Sequence, residues 1–311
     1  MAYSTNKILV ALDFQEPSLA ALEHSYALAR LFEADLILLY VIEVTGVFGK
    51  LRSPEDYYKK VISEAREKFD ELEGLAGTVA TKSTIKVTTL IEKGKPYDKI
   101  IQTAKDHKAI LIIIGKSRSV TETPEKFIGS NAINVIREAP CPVITVMGNK
   151  PLNDKYTNIL LPLDFTGHTK KQVQKAIDFG GYFGSSINII SVVSKENKVV
   201  RILKQVQMIQ VKNAIKRHGI QCHSEMLYLD QRNAAEEVID YSRKINADLI
   251  IIMTQQKKTV VNYYLGSTAL QIIQDSDIPV LSLFPAAYFK PGFVTSMVDP
   301  LGVIKPQSDG E

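Results

Sequence analysis

Short apolar runs alternate with amphipathic stretches along this chain. The first run, Lys7–Leu12, precedes apolar residues at three- and four-residue steps, which predict a helix over about 17–32. Asp35–Ile42 is almost unbroken in its apolar character, as is typical of a strand whose two faces are both covered. The alternation predicts helices between five strands, at 7–12, 35–42, 84–91, 110–114 and 143–147.

The second half of the chain repeats this order. Residues 7–14 read KILVALDF and residues 158–165 read NILLPLDF, so each half opens on a strand that ends in an aspartate. Further along, AILIIIGKS at 109–117 matches ADLIIIMTQ at 247–255. The offset falls from 158 − 7 = 151 to 247 − 109 = 138, so the second copy is 151 − 138 = 13 residues shorter. Its strands are predicted at 158–163, 187–193, 221–228, 248–253 and 279–284.

Strands that alternate with helices predict right-handed crossovers and a parallel sheet with helices on both faces. The fold class is therefore α/β, with two tandem doubly wound domains, each built on a five-stranded parallel sheet. We place the first domain at 1–147, a polar linker at 148–156, the second domain at 157–285 and a tail at 286–311.

In a sheet of this kind, ligands bind beyond the C-terminal ends of the strands. Asp13 and Asp164 follow the first strand of each copy, while Gly115 and Met253 follow the fourth. If the first and fourth strands are neighbours, each copy forms one crevice from these positions.

Composition narrows the classes of partner. The net charge is +4 over 311 residues, and no Lys/Arg cluster has aromatic residues between its members, which argues against nucleic acid. The longest apolar runs, such as Leu36–Ile42, are far short of the ~20 residues that cross a bilayer, so no membrane partner is expected. The N-terminal residues MAYSTNK have no apolar signal core. The expected location is the cytoplasm.

The motifs at the crevice resemble those of the universal stress protein family in its tandem form. They are the opening strand ILVALD at 8–13, the loop from Gly115 to Ser130, and APCPV at 139–143. The resemblance implies a Rossmann-like sheet ordered 3-2-1-4-5 and pairing of the two domains through their fifth strands. It also implies a role in stress survival without known chemistry. Many family members bind ATP, and others do not.

The family's nucleotide loop has the pattern G-x2-G-x9-G-[ST], which the first copy retains in altered form. Arg118 stands where the second glycine belongs, and 10 residues rather than 9 separate it from Gly129. Its side chain would either cover the phosphate path or supply charge-assisted hydrogen bonds to it. A bound ATP or other adenine nucleotide, with its accompanying Mg²⁺, would meet Asp13, Val41, Gly115, Arg118, Gly129, Ser130 and Asn131.

The second copy departs further from the pattern. Met253 and Gln256 replace the first two glycines, and Met253 would project its side chain where the backbone should approach the phosphates. The family residues that remain in this copy are Asp164, Gly266, Ser267 and Thr268.

Each motif also has an ordinary structural interpretation. The glycine–serine pairs serve equally as helix N-caps, and Asp13 serves equally as a turn residue. Two functions therefore stay open. One is a non-enzymatic stress-response protein that binds an adenine nucleotide in its first domain. The other is a scaffold protein whose two sites have both lost nucleotide binding and that takes a protein partner or another small ligand.

Neither catalysis nor a protein-bound metal is expected. No Ser/His/Asp set recurs in both copies, and Cys222 and His223 are adjacent on a predicted strand, where they face opposite sides. The two domains should form an intramolecular pair, while a homodimer and an unknown protein partner stay open. The stretch 288–304 of the tail is apolar enough that we expect it to pack on the protein.

Overall fold

The computed structural model describes residues 6–43, 54–80, 85–116, 129–148, 155–165, 168–194, 198–229, 232–254, 258–259, 262–263 and 265–284. The predicted tail at 286–311 and Arg118 lie outside these residues.

Strands and helices alternate through the first copy, as the apolar pattern predicts. Its elements are β1 (Lys7–Leu12), α1 (Glu16–Leu31), β2 (Asp35–Glu43), α2 (Pro54–Ala80), β3 (Val87–Gly94), α3 (Pro96–Asp106), β4 (Leu111–Lys116), α4 (Ser130–Glu138) and β5 (Val143–Met147).

The second copy follows the same order, with a short hairpin added after its fourth strand. Its elements are β6 (Asn158–Pro162), α5 (Thr169–Phe183), β7 (Ser186–Ser194), α6 (Lys198–Arg217), β8 (Cys222–Leu229), α7 (Ala234–Lys244), β9 (Leu249–Met253), β10 (Lys258–Thr259), β11 (Asn262–Tyr263), α8 (Ser267–Asp275) and β12 (Val280–Leu283). The antiparallel pair β10–β11 was not predicted from the sequence.

The third strand of the first copy lies three residues later than predicted. The sequence indicated 84–91, whereas β3 pairs with β2 from Val87 to Gly94. Because β3 is an edge strand, its residues are half-buried or exposed, and polar Glu92 and Lys93 belong to it. Because these two residues are polar, a search for apolar runs does not detect the end of this strand.

All ten long strands form one sheet, in the order β3-β2-β1-β4-β5-β12-β9-β6-β7-β8. Each half of this order is 3-2-1-4-5, as the family resemblance implies. The fifth strands pair antiparallel, with Ile144 opposite Leu281. These two residues are equivalent in the repeat, since 281 − 144 = 137 matches the local offset between Gly129 and Gly266. An approximate two-fold axis therefore passes between them, and the predicted pairing of the fifth strands is confirmed.

Both faces of the sheet are covered by apolar clusters that run across the two copies. One cluster joins residues of α1, α2, α5 and α6, and the other joins residues of α3, α4, α7 and α8. On the first face, the rings of Phe32 and Phe179 meet edge to face, with their centroids 5.7 Å apart. The two domains therefore share a continuous core, and the long buried strands explain why their sequences are apolar on both faces.

One residue of the predicted polar linker belongs to this core. Tyr156 is fully buried, stacks edge to face on Phe183 at 5.2 Å, and has its hydroxyl 3.3 Å from Nδ1 of buried His24. Burial raises the pKa of the Tyr156 hydroxyl far above its usual value. At the last position of the predicted linker, the Tyr156 side chain therefore ties α1 of the first copy to α5 of the second.

Candidate functional site

A cleft of about 860 Å³ opens at the C-terminal ends of β1, β2 and β4 in the first copy. Asp13, Val41, Gly115 and Asn131 line it, so four of the residues predicted for nucleotide binding share one cavity. Gly129 and Ser130, also predicted, are exposed at the start of α4 and are not among the described lining residues. The volume falls within the roughly 300–1,000 Å³ typical of small-molecule sites.

Asp13 forms a tight turn at the edge of the cleft. Its Oδ1 accepts a hydrogen bond from the backbone N–H of Gln15 at 2.9 Å, and its own N–H donates to Oγ of Ser18 at 3.2 Å. These two hydrogen bonds agree with the structural interpretation of Asp13 as a turn residue. The side chain is exposed and lines the cleft as well, so a ligand can still reach the carboxylate.

The residue after the aspartate has an unusual backbone in both copies. Phe14 and Phe165 have φ values of 61° and 60°, in the left-handed region that bulky side chains rarely adopt. Such a conformation costs on the order of 1–3 kcal/mol and persists only where packing enforces it. The sequence LDF, which occurs at 12–14 and again at 163–165, therefore forms a strained turn at each crevice.

Aromatic packing holds this turn in the first copy. The Phe14 ring lies 5.0 Å from the ring of Tyr40 and 5.1 Å from that of Phe69, and Nζ of Lys68 lies 5.1 Å from its centroid. Burial, with a smaller effect of nearby acidic groups including Asp13, raises the pKa of the Tyr40 hydroxyl. Tyr40, which also lines the cleft, is therefore neutral at physiological pH.

Gly115 is required by helix packing, a reason that the sequence did not reveal. A Cβ on Gly115 would lie 2.3 Å from the carbonyl carbon of Pro17 and 2.6 Å from the backbone nitrogen of Ser18. A Cβ on Gly148 would lie 3.0 Å from the nitrogen of Pro17. Two glycines at the ends of β4 and β5 therefore let the first turn of α1 approach the sheet.

The start of α4 provides the positive end of a helix beside the cleft. Gly129 is its N-cap, no side chain caps it, and its first turn carries no acidic residue. Asn131 and Ala132, in that first turn, line the cleft. Unsatisfied amides and the helix dipole favour an anion at such a position.

The cleft is otherwise rimmed by carboxylates, and its lysine is directed elsewhere. Glu16 and Glu43 line it together with Asp13. Lys116 also lines it but is only 2% exposed, and its ammonium donates to the carbonyl oxygens of Ile273 at 2.5 Å and Ser276 at 2.6 Å. Lys116 thus caps the C-terminal end of α8 in the second domain.

Different contacts join the elements around the corresponding crevice of the second copy. The N–H of Gly266 donates to the carbonyl oxygen of Thr254 at 3.1 Å, which fastens the start of α8 to the end of β9. Buried Thr254, equivalent to Lys116, donates its hydroxyl to Leu283 at 2.9 Å. Leu265 is buried beside them. Asp164, Ser267 and Thr268, predicted for this site, are all exposed.

Met253 affects the second crevice in another way than its sequence position suggested. Its side chain is half-buried against the cluster beneath α1 and α5, on the side where Pro17 approaches Gly115 in the first copy. The side chain therefore occupies room that the first helical turn takes in the first copy, and its effect on a phosphate path stays a prediction.

Cysteine and histidine residues form no metal site in the part of the chain that the structure describes, where no group of three or more potential ligands occurs. Burial raises the pKa of the Cys141 thiol to about 12 and that of Cys222 to about 11. Cys222 is buried while the neighbouring His223 is exposed, as strand geometry predicts. Among the described helices, none is long and apolar enough to cross a membrane.

Comparison with known proteins identifies the family. The model of the universal stress protein family matches residues 4–147 and again 155–283. A universal stress protein of Methanocaldococcus jannaschii is 30% identical over 141 residues, which cover 45% of this chain and 81% of that protein. One of Bacillus subtilis is 27% identical over 146 residues, or 45% of this chain and 98% of the relative.

A solved structure shares the whole tandem fold. The crystal structure of a universal stress protein from Archaeoglobus fulgidus superimposes with a TM-score of 0.69 and covers 91% of this chain and 99% of its own. At 21% identity, this likeness concerns the fold alone.

Proposed function

The chain belongs to the universal stress protein family, with the family domain present twice, and on that premise we propose that its first domain binds an adenine nucleotide. ATP is the first candidate, and the protein acts in the cytoplasm by binding and not by chemistry. The observation that carries the proposal is the open cleft of about 860 Å³ in the first copy, which is lined by four of the residues predicted for nucleotide binding.

The residues around the cleft suit the parts of a nucleotide. Val41 and Ala132 offer apolar contacts to a base, and the exposed carboxylate of Asp13 can accept hydrogen bonds from a ribose hydroxyl or an adenine amine. The phosphates would lie at the start of α4, where the uncapped amides favour an anion. Arg118 would add charge-assisted hydrogen bonds to them, with Mg²⁺ arriving on the nucleotide.

The carboxylates at the rim would weaken the binding of a nucleotide and would affect the direction in which its phosphates lie. Glu16 and Glu43 repel a phosphate that binds on their side of the cleft, so the chain of phosphates should run towards α4 and away from α1. A nucleotide bound in this orientation would leave the rim carboxylates exposed to solvent. Occupancy would then change the charge of this surface, and a partner could sense that change.

Mass spectrometry of the purified protein, followed by calorimetric titration, tests the proposal. We expect ATP, ADP or AMP to be released on denaturation and one nucleotide to bind per chain. Asn131→Leu removes a polar contact beside the phosphates and should weaken binding at least about tenfold. Thr268→Leu is the matched control, because residue 268 is equivalent to 131 in the second copy (131 + 137 = 268).

Thermal denaturation gives an independent measurement. A nucleotide present at about 100 times its Kd should stabilise the protein by about 2.7 kcal/mol, in the original protein and in Thr268→Leu alike. Absence of released nucleotide together with failed titration at millimolar concentration would overturn the proposal and favour the scaffold function. Equal loss of affinity in the two variants would remove the assignment to the first domain.

A further inference from the structure

Helix α6 presents an apolar stripe to solvent. Five aliphatic side chains, three or four residues apart, are between 48% and 68% exposed. This spacing places them on one face of the helix across its first three turns. The stripe consists of Val199, Ile202, Leu203, Val206 and Ile209.

The stripe lies opposite the face that holds α6 on the sheet. Met208 and Ile215 are buried in the core cluster of that face, and Val211 packs against it. The helix already packs on the core through this buried face, so the exposed stripe is a second apolar face. A helix on the surface of a globular protein normally turns charged and polar residues outward.

The equivalent helix of the first copy follows that ordinary rule. On α2, the exposed side chains include Glu64, Glu67, Lys68 and Glu71. The apolar outer face is thus a property of the second copy alone among these two helices. Contiguous exposed apolar surface of this kind indicates a binding partner.

The charges of α6 select the class of partner. The helix carries six cationic residues and no Asp or Glu. Tyr228, 44% exposed on the neighbouring strand β8, lies beside its first turns, with the guanidinium carbon of Arg201 6.0 Å from the ring centroid. Three of the cationic residues are exposed, namely Lys198, Lys216 and Arg217, and three are half-buried on the side of Met208, namely Arg201, Lys204 and Lys212.

We propose that α6 binds the surface of an anionic membrane, with its aliphatic stripe in the interface and the exposed Lys198, Lys216 and Arg217 on the lipid phosphates. This departs from the expectation of no membrane partner, which rested on the lack of an apolar run long enough to cross a bilayer. Cationic side chains beside an apolar helix face add electrostatic attraction to anionic lipids. An exposed tyrosine next to it suits the same interfacial depth. With 20 residues, α6 presents a line about 30 Å long to such a surface.

Other occupants fit the same observations less well. A second copy of the chain would bring two helices together that carry only positive charge, which opposes association. The centre of a protein–protein interface is typically rich in aromatic residues and poor in lysine, whereas this stripe is wholly aliphatic and its helix has four lysines. A flat anionic surface also accepts a convex helix face without a shaped groove.

Vesicle flotation with the full chain tests the proposal. We expect binding to vesicles of phosphatidylcholine mixed with phosphatidylglycerol, weak binding to phosphatidylcholine alone, and loss of binding as NaCl rises from about 0.1 M to about 0.5 M. The stripe variant Ile202→Gln/Val206→Gln/Ile209→Gln should lower the partition coefficient at least about tenfold, because it removes buried apolar area. Lys198→Gln/Lys216→Gln should weaken binding to the anionic vesicles only.

The double variant Gln205→Ala/Gln207→Ala, which removes no side chain of the stripe, should bind no less than the original protein does. Three results would overturn the proposal and assign the stripe elsewhere. Failure to bind vesicles, with a change of oligomeric state in the stripe variant, assigns the stripe to a second copy. Failure to bind, with faster proteolysis of residues 288–311 in the stripe variant, assigns it to the tail. Binding of an acidic helical peptide but not of vesicles assigns it to a protein partner.

Discussion

The two crevices of this molecule are built on the same arrangement of strands and differ in the side chains at the strand ends. Each is built on strands ordered 3-2-1-4-5, and each begins at an aspartate followed by a phenylalanine with φ near 60°. In the first domain, Gly115 lies one residue before the end of β4, and a cleft is open. In the second, Met253 takes the equivalent position, and a hydrogen bond from the N–H of Gly266 joins the start of α8 to Thr254 after β9.

The difference shows how one position at a strand end can determine where a helix begins. Helix α1 starts at Glu16, and its backbone fills the room above Gly115. Helix α5 starts at Thr169, which corresponds to residue 18 (169 − 151) and is therefore two residues later. Because a methionine side chain points into the room above β9, the first turn cannot approach as closely. The two crevices thus differ although the strand order of the sheet is the same in both copies.

Adding a single carbon at Gly115 should have the largest effect. In Gly115→Ala the new Cβ would lie 2.3 Å from backbone atoms of α1, which cannot yield without moving the helix. We expect the free energy of unfolding to fall by about 3 kcal/mol or more, at the upper end of overpacking costs. Urea denaturation followed by circular dichroism measures it.

Gly129→Ala is the matched control, because nothing lies within 4 Å of its added Cβ. We expect a change below about 1 kcal/mol for this N-cap position. Similar stability losses in the two variants would show that close approach of α1 is not why residue 115 is a glycine.

Much of the fold was predictable because parallel strands buried on both faces have continuous apolar sequences. Runs such as Asp35–Ile42 and the repeated LDF turns fixed the order of elements and the repeat. The pairing of β5 with β12 followed from the family resemblance, and the register of Ile144 with Leu281 agrees with it. These features depend on residues close in sequence or on the symmetry of a repeat.

The remaining features depend on contacts between distant segments. Gly115 faces the backbone of Pro17, and Lys116 reaches carbonyl groups 157 and 160 residues away. No local pattern distinguishes a glycine that makes room for a helix from one that admits a phosphate. In α6, apolar residues occur on two sides of the helix, so periodicity could not tell the core face at Met208 from the exposed stripe.

Lys116→Met should have the next largest effect, and it tests how the two domains depend on each other. The variant removes two charge-assisted hydrogen bonds to the end of α8 while it keeps most of the buried apolar stem. We expect the free energy of unfolding to fall by about 2 kcal/mol. Denaturation monitored by calorimetry should also show a less cooperative transition, because this contact links the domains.

Lys99→Met provides the control for loss of a lysine. Its ammonium pairs with Glu92 at 3.2 Å on a partly exposed surface, which is worth at most about 1 kcal/mol. If Lys116→Met proves no more destabilising than this variant, the cap on α8 contributes nothing to the joining of the domains.

Removal of the Met253 side chain should have a smaller effect and should not restore the second site. Met253→Ala takes away a half-buried side chain, so we expect a loss of about 1–2 kcal/mol, below the range for fully buried methionines. Nucleotide affinity measured by calorimetry should be unchanged, because the proposed site lies in the first domain and the bond from Gly266 to Thr254 stays in place. A second nucleotide bound per chain would show that the Met253 side chain alone prevents binding in the second copy.

The two cysteines, one in each domain, give the smallest and most local test of the comparison. Burial raises the pKa of the Cys141 thiol to about 12, while Lys212 and Lys216 partly offset the same effect at Cys222 and leave it at about 11. Since the thiolate is the reactive form, iodoacetamide at pH 8 should label Cys222 faster than Cys141. Mass spectrometry of the labelled peptides measures the two rates.

The same shifts give a pH dependence of stability with a definite sign. A thiol whose pKa is raised in the folded protein favours the neutral form, so its contribution is complete below the unfolded value of 9.0 and is lost as pH rises towards the folded value. The loss should extend to about pH 12 for Cys141 and end near pH 11 for Cys222. Cys141→Ala should therefore flatten the alkaline decline in unfolding free energy more than Cys222→Ala does. Equal slopes in the two variants would mean that burial shifts the pKa of the two thiols equally. Faster labelling of Cys141 would mean that the first domain opens locally around β5 more readily than the second opens around β8.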